Sequence, residues 1–377
     1  MRDKPVVYLT SSVFLEISSN EKLNPDIREK IKVLWNKLEK ISELHYYKGR
    51  FPDYNTLKKD FNKINPNIVG CHLSHPITRD LINDSEIFYI ATSTAGYNHI
   101  ELEDDDDILV SHTPGVLHHT VADYTVALIM ANLRNIIDLH NYVWNENWTP
   151  ADKWDLDQDL SSVINNKILG IVGLGEIGTE VVRKLYNWGL NIIYYDTHVN
   201  ERAEKEFPGL KRVDSLEDIF KKADIVSLHI PLNKYTQNLI DRKYLSLMKK
   251  GALLVNTARG GIINFDDLLD MLEKGDIKID LSFDVYPEEP IKPEILERFK
   301  QIKEKYPEIR MILMPHNASA DADTRGKMDI IFLNDIIKVI ESSKIEDLEQ
   351  VHIIPEQRKI LYDKKWKIKK YWSSKNS

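Results

Sequence analysis

The stretch Lys167–Asp196, KILGIVGLGEIGTEVVRKLYNWGLNIIYYD, constrains the fold more than any other part of this chain. An apolar strand pattern, Ile168–Val172, runs directly into Gly173-x-Gly175-x-x-Gly178, where a helical pattern opens. Glycines at that spacing permit a tight turn, close approach of a pyrophosphate, and close packing of helix on strand. Free amides at the helix start then meet the phosphate charge. Taken alone, the glycines also fit an ordinary βα turn. Here a second strand pattern, Asn191–Tyr195, ends at Asp196, 18 positions beyond Gly178. That is near the spacing of about 20 expected for a carboxylate on the adenosine ribose hydroxyls. The full context points to a dinucleotide site. Asp196 would repel a 2′-phosphate, and Thr197, His198 and Val199 carry no guanidinium to receive one; Arg202 lies six positions on. NAD is favoured over NADP.

The rest of the chain repeats the same texture. Strand patterns at Pro5–Thr10, Ile68–Gly70, Phe88–Ala91 and Ile108–Val110 alternate with helical spacing such as Ile27, Ile31, Leu34, Leu38, Ile41. A second series has strands at Ile168–Val172, Asn191–Tyr195, Asp224–His229, Ala252–Asn256, Ile279–Phe283 and Met311–Met314. Strand–helix alternation predicts parallel βαβ units, and 377 residues accommodate two of them, divided near residue 115. Thr120–Leu139 is apolar on most sides, so a buried helix is expected there, with enough apolar excess for a subunit interface. Asn141–Ser162, with Trp144, Trp148 and Trp154, reads as a loop pinned by aromatics, and Glu101–Asp107 as a solvated acidic loop. A helix is expected over Met328–Ile340, followed by a basic-aromatic tail that is disordered or docked on the protein.

Composition narrows the class. The formal net charge of −8 gives no general pull toward nucleic acid or an anionic bilayer. No apolar run of about 18 residues is present, so no spanning helix is expected. A single cysteine, Cys71, excludes an intramolecular disulfide framework and fits a reducing, cytoplasmic setting. The pairs His72/His75 and His118/His119 lack nearby thiolates or a clear carboxylate partner, so they read as hydrogen-bonded loop histidines and no metal site is expected.

Three further segments begin at the carboxyl ends of expected strands, the ligand-binding edge of an open α/β sheet. They are Asn256-Thr257-Ala258-Arg259-Gly260-Gly261, Phe283-Asp284-Val285-Tyr286-Pro287-Glu288-Glu289-Pro290, and Met314-Pro315-His316-Asn317-Ala318. An arginine, a carboxylate and a histidine are thereby brought toward one edge. The turn Ser93–His99 follows another strand, and its backbone amides could form an anion nest.

Together TSTAGYNHI, HTPGVLHHTVADYTVALIM, GLGEIG, HIPLNKYTQNLI, LLVNTARGGIINFDDL, FDVYPEEP and MPHNAS resemble the D-isomer-specific 2-hydroxyacid dehydrogenases, from about residue 88 to residue 330. The resemblance implies two doubly wound parallel-sheet α/β domains with a cleft between them. Residues 1–115, completed by 320–377, would form a flavodoxin-like substrate domain, and 116–319 a Rossmann NAD-binding domain. It implies that Arg259 forks onto the substrate carboxylate and carbonyl. His316 would exchange the proton of the carbonyl oxygen, and Glu289 would pair with His316 and favour its protonated form. Asp284 would hold the nicotinamide carboxamide. Glu176 and Ile177 would receive the pyrophosphate, Ile230, Pro231 and Thr236 would line the adenosine side, and Thr257 and Ala258 would border the nicotinamide. Thr94, Ala95 and Gly96 would take the substrate carboxylate.

The implied activity is NAD-linked interconversion of a small 2-oxo acid (glyoxylate, hydroxypyruvate or pyruvate type) and its D-2-hydroxy acid, in a homodimer. Glu289 disfavours formate chemistry, where the family carries Gln. A turn around Gly96 without Arg or Lys disfavours a phosphorylated substrate. Asp123 and Asn317 depart from the family pattern, and nothing beyond about residue 345 matches it. The alternatives are an NAD(H)-responsive scaffold of the corepressor type on the same fold, and an L-amino-acid dehydrogenase, against which the NTARGG and PHN segments argue.

Overall fold

Short runs of buried aliphatic residues build two separate parallel sheets in the computed structural model, which describes residues 4–375 except 76, 104–105, 152–155 and 157–159. The chain divides into two compact units, Met1–Leu117 with Ala320–Ser377, and His118–Ser319.

In the first unit, strands β1 (Val6–Leu9), β2 (Glu43–Tyr46), β3 (Ile68–Cys71), β4 (Tyr89–Thr92) and β5 (Leu109–Ser111) form a sheet in the order β2-β1-β3-β4-β5, all parallel. Except for β2, every strand residue is buried, as expected for a sheet covered on both faces. One face packs on Ile31, Trp35 and Leu38 of the helix Pro25–Ile41 and on Phe332, Leu333 and Ile336 of the helix Ala322–Glu341. Leu57, Phe61, Ile82 and Ile100 fill the other. The basic-aromatic tail is docked: Trp366, Ile368 and Trp372 are buried in the first of these cores, leaving Lys369 and Lys370 exposed.

The second unit has β6 (Ile168–Val172), β7 (Asn191–Tyr195), β8 (Lys211–Arg212), β9 (Ile225–Leu228), β10 (Leu253–Asn256), β11 (Asp280–Phe283) and β12 (Met311–Leu313), in the parallel order β12-β11-β10-β9-β6-β7-β8. The order reverses between β6 and β9, the switch point at which doubly wound sheets bind ligands.

Three expectations need correction. The helix expected over Thr120–Leu139 is two helices, His118–Leu133 and Ile136–Trp144, broken at Asn135, which adopts φ +53°. Asparagine tolerates that left-handed turn better than most residues. The second helix carries Trp144 outward, so the aromatics do not pin a loop: Trp144 is 76% and Trp148 68% exposed. Trp154 lies outside the described residues. Within the acidic loop, Arg79 grips Asp106 at 2.6 Å. His75 is a hydrogen-bonded loop histidine, reaching Thr10 Oγ1 at 2.8 Å and donating to the Arg50 carbonyl at 2.5 Å. His119 does have a carboxylate partner, Glu180 at 2.9 Å.

Asp329, inside the helix Ala322–Glu341, is 2% exposed, and neither of its carboxyl oxygens has a hydrogen-bond partner among the described residues. Burial pushes its pKa well above the ordinary carboxylate range. The folded protein therefore holds this group neutral where the unfolded chain ionises it, so its contribution to stability is complete below the unfolded pKa and is lost as pH rises toward the folded one. Asp329→Asn should accordingly melt higher than the native protein at pH 8, with the gap closing toward pH 4. Thermal unfolding across that range checks it; a constant gap would contradict it.

Candidate active site

Glycine geometry shapes the carboxyl end of β6. Gly173 adopts φ +93°, and a Cβ there would lie 2.7 Å from Ile230 Cγ2 and 2.8 Å from the His229 carbonyl. A Cβ on Gly178 would lie 2.2 Å from the Gly173 carbonyl. Gly175 differs, because a Cβ there would meet nothing within 4 Å. This open space lies at the start of the helix Glu176–Leu185, and the amides of Gly175, Glu176, Ile177 and Gly178 donate to no group among the described residues. Unpaired amides at a helix N-terminus facing a gap fit a pyrophosphate.

Asp196 ends the neighbouring strand. Its Oδ2 accepts the Leu174 amide at 2.8 Å, and its Oδ1 accepts the His198 amide at 3.1 Å. Sequence reasoning missed the guanidinium beside it: Arg212, on β8, donates to the Asp196 carbonyl at 2.9 Å. Strand β8 is two exposed residues, too short to leave a periodic signal. Thr236, after Ile230 and Pro231, spends its hydroxyl within its own loop, donating to the Pro231 carbonyl at 2.6 Å and accepting the Asn233 amide at 2.8 Å.

Three strand ends are then joined through backbone. The Asp284 amide donates to the Asn256 carbonyl at 3.0 Å, and the His316 amide to the Asp284 carbonyl at 2.8 Å. Asn256, fully buried, braces the segment that follows it. Its Oδ1 accepts the Ala258 amide at 3.0 Å while its Nδ2 donates to the Arg259 carbonyl at 2.9 Å. Asparagine at the start of such a turn is a readable Asx signal that the sequence reading passed over. Thr257 pairs with Thr125 at 2.8 Å. The Arg259 guanidinium donates to the Ala258 carbonyl at 2.7 Å.

Gly260 makes the closest approach in the unit. A Cβ there would fall 1.9 Å from the Tyr286 carbonyl carbon and 2.4 Å from the Pro287 nitrogen. Arginine and glutamate segments are thus in backbone contact. Glu289 takes the Tyr286 amide on Oε1 at 3.0 Å and His316 Nδ1–H on Oε2 at 2.5 Å, and its peptide to Pro290 is cis. Because the carboxylate accepts at Nδ1, the Nε2 of His316 is left to face a reactant. The His316 and Glu289 side chains are 24% and 30% exposed, so the pair is reachable.

His316 itself sits at φ +51°, a conformation that costs a non-glycine residue about 1–3 kcal/mol and persists only where its surroundings over-determine it. Here Asp284 supplies that constraint. Its two carboxylate oxygens accept the amides of Asn317 and Ala318, each at 2.8 Å, while its carbonyl holds the His316 amide.

The charges tune one another. Burial raises the Glu289 pKa, but the bond to His316, the Tyr286 amide and the nearby His316 and Arg259 charges outweigh it, and the carboxyl lies below its ordinary range. Burial lowers the Arg259 pKa against the opposing Glu289 charge. For Asp284 burial wins over the two amides, and its pKa rises.

In the first unit, the turn after β4 carries a second run of backbone amides without an acceptor. The amides of Thr94, Ala95, Gly96 and Tyr97 donate to no group among the described residues, and the Thr94 hydroxyl closes the turn onto the Gly96 carbonyl at 2.6 Å.

Comparison with known proteins places the chain in a family. Residues 126–318 match the model of the D-isomer specific 2-hydroxyacid dehydrogenase, NAD binding domain. A glyoxylate reductase from Thermofilum pendens is 31% identical over 304 residues, 76% of this chain and 85% of that one. One from Aeropyrum pernix is 34% identical over 270 residues, 70% of this chain and 77% of that one. The crystal structure of a glyoxylate reductase from Paecilomyes thermophila superposes with a TM-score of 0.73 at 25% identity, over 95% of this chain and 100% of that one. The chain belongs to the D-isomer-specific 2-hydroxyacid dehydrogenases.

This dehydrogenase is an oxidoreductase of the CH–OH group that uses an NAD-type cofactor. Of its departures from the family pattern, Asp123 pairs with Lys184 at 2.8 Å, and Asn317 contributes its amide to Asp284. The Gly260 approach leaves no room for any side chain. Gly260→Ala should push Tyr286–Glu289 off Arg259 and lower kcat by ~10²-fold or more, the usual consequence of a misplacement near 1 Å. Turnover measured alongside the melting temperature checks this, and native kcat in a folded variant would contradict it.

Proposed function

We propose that this dehydrogenase reversibly reduces a small 2-oxo acid, of glyoxylate, hydroxypyruvate or pyruvate type, to the D-2-hydroxy acid, with NADH in preference to NADPH. The observation that carries the reading is the Glu289–His316 pair at 2.5 Å, tied through backbone to the segment bearing Arg259. The bound cofactor supplies the hydride. Arg259 orients the substrate by forking onto its carboxylate and carbonyl, a geometry that a planar guanidinium supplies and an ammonium does not. His316 holds a proton on Nε2 and delivers it to the carbonyl oxygen as charge develops there. Glu289, ionised at neutral pH, fixes the ring by accepting its Nδ1–H. Asp284 fixes the backbone of His316 and retains lone pairs for the nicotinamide carboxamide, while Thr257 and Ala258 border that ring. Thr94, Ala95 and Gly96 offer their amides to the substrate carboxylate. The absence of Arg or Lys from that turn supports an unphosphorylated substrate.

Asp196 favours NADH, and Arg212 stands near enough to temper that preference. In a panel of 2-oxo acids assayed with both cofactors, NADH should support the higher kcat/KM. Asp196→Ala should lose ~10-fold or more in NADH affinity, the cost of hydrogen bonds to a charged group, while NADPH binding changes little. Equal affinities in the native protein would overturn the preference.

A conservative variant tests the pair. Glu289→Gln keeps the size of the side chain and removes the charge that grips His316 Nδ1–H, so kcat for 2-oxo acid reduction should fall by ~10-fold or more while NADH affinity holds. Native kcat in a folded Glu289→Gln would dismiss Glu289 as the partner.

A homodimer and a cytoplasmic setting complete the proposal. Ile136, Ile137, Val143 and Trp144 form an exposed apolar surface on the helix Ile136–Trp144, the feature of a chain that pairs with its own copy. The single thiol, Cys71, is buried with its pKa pushed up to about 12, consistent with a reducing compartment. Sedimentation should give a dimer at micromolar concentration and a monomer for Trp144→Asp.

A further inference from the structure

The turn after β4 is held from outside itself. Its Thr94 carbonyl accepts the Thr113 amide at 2.9 Å, and its Ala95 carbonyl accepts His112 Nδ1–H at 2.7 Å. His112 lies edge-on to the Tyr97 ring, with centroids 5.4 Å apart at 87°. Tyr97 Oη in turn donates to Glu356 Oε2 at 2.7 Å, across 259 positions of sequence.

Glu356 belongs to a C-terminal segment that is itself pinned along β5. Ile353 bridges Ser111 in antiparallel fashion, the His112 amide donates to the His352 carbonyl at 3.0 Å, and the Ile354 amide to the Val110 carbonyl at 3.0 Å. The buried Gln357 side chain continues the pattern, accepting the Val110 amide at 2.8 Å and donating to the Ile108 carbonyl at 2.9 Å. His352 is locked on Asp335 of the helix Ala322–Glu341 at 3.0 Å. The turn thus has a fixed entry, on the continuation of β5, and a fixed exit, on a carboxylate presented by this segment.

We propose that Glu356, acting through Tyr97, is a positioning residue that sets the direction of the amides of Thr94–Tyr97 and thereby the affinity for the carboxylate of the 2-oxo acid. This rests on the reading of that turn as the carboxylate-binding element. Backbone N–H groups grip an anion only while they converge on it. A turn built of Thr94, Ala95 and Gly96 has little side-chain mass to hold that convergence, and the Tyr97–Glu356 bond supplies the restraint. The step concerns binding and not chemistry, so it should appear in KM and leave kcat alone.

Steady-state kinetics on the full chain at saturating NADH tests it. Glu356→Ala should raise KM for the 2-oxo acid by ~3–10-fold with kcat within about twofold of native, the size expected for a lost, partly solvated hydrogen bond. NADH affinity should not move. Glu356→Gln, which keeps an acceptor for the Tyr97 hydroxyl, should recover near-native KM. Tyr97→Phe should match Glu356→Ala, and the double variant should be no worse than either. Native KM in both single variants, additive effects in the double, or a KM rise matched by equal loss of kcat and of melting temperature would overturn the proposal. Ala95→Asp reports on the underlying reading, because an acid on the turn should abolish saturation by the 2-oxo acid with NADH binding intact. Native KM in Ala95→Asp overturns that reading, whereas failure of Ala95→Asp together with native KM in Glu356→Ala overturns the positioning role alone.

Discussion

Parallel strands all end at one edge of their sheet, and in the second unit the register of β10, β11 and β12 runs on past the last paired residues of those strands. The bonds from Asp284 to Asn256 and from His316 to Asp284 are that continuation. The residues proposed to do the chemistry hang from them. Arg259 follows Asn256 within a single braced turn, Glu289 follows Asp284 across a loop seated on Gly260, and His316 is held left-handed by the residue that β11 presents. A one-residue slip in the register would turn these side chains to the opposite face, so the packing of Leu254, Leu281 and Phe283 in the core is part of the geometry of the proposed site.

What was legible in the sequence were the features whose physics is local. Gly173 answers to a left-handed turn at its own position and Gly178 to clearance from the Gly173 carbonyl five residues back, and the buried strands announce themselves as short apolar runs. Arg259, Glu289 and His316 stood out because each lies just beyond such a run. The partnership of Glu289 with His316 is implied by the resemblance and not by local pattern, because 27 positions separate the two residues that meet. Harder to see was anything that depends on which distant segments meet. Arg212 approaches Asp196 only because β8 pairs with β7, and Glu356 reaches Tyr97 only because the C-terminal segment lies along β5. The aromatics near Trp144 misled for a related reason. Apolar side chains suggest a core, and periodicity does not say whether that core belongs to the same copy of the chain.

The C-terminal segment also answers a problem of the first sheet. β5 is an outer strand of three buried residues, and an open edge of that kind invites pairing with other chains. The backbone of His352–Ile354 and the side-chain amide of Gln357 use up its donors and acceptors. Trp366, Ile368 and Trp372 then anchor the tail in the same core, so the edge stays closed without β5 itself carrying charges.

The division of the chain also bears on how it can be made. The second unit is contiguous, from His118 to Ser319, whereas the first unit is split around it. Phe332, Leu333 and Ile336 cover a face of the first sheet, and they leave the ribosome after the whole second unit. Domains ordinarily fold in the order in which they emerge. Here the N-terminal strands emerge first and lack their covering helix until more than half the remaining chain has been added. The later-born unit has all it needs to fold before the earlier one, and β1, β3 and β4 must be sheltered in the interval.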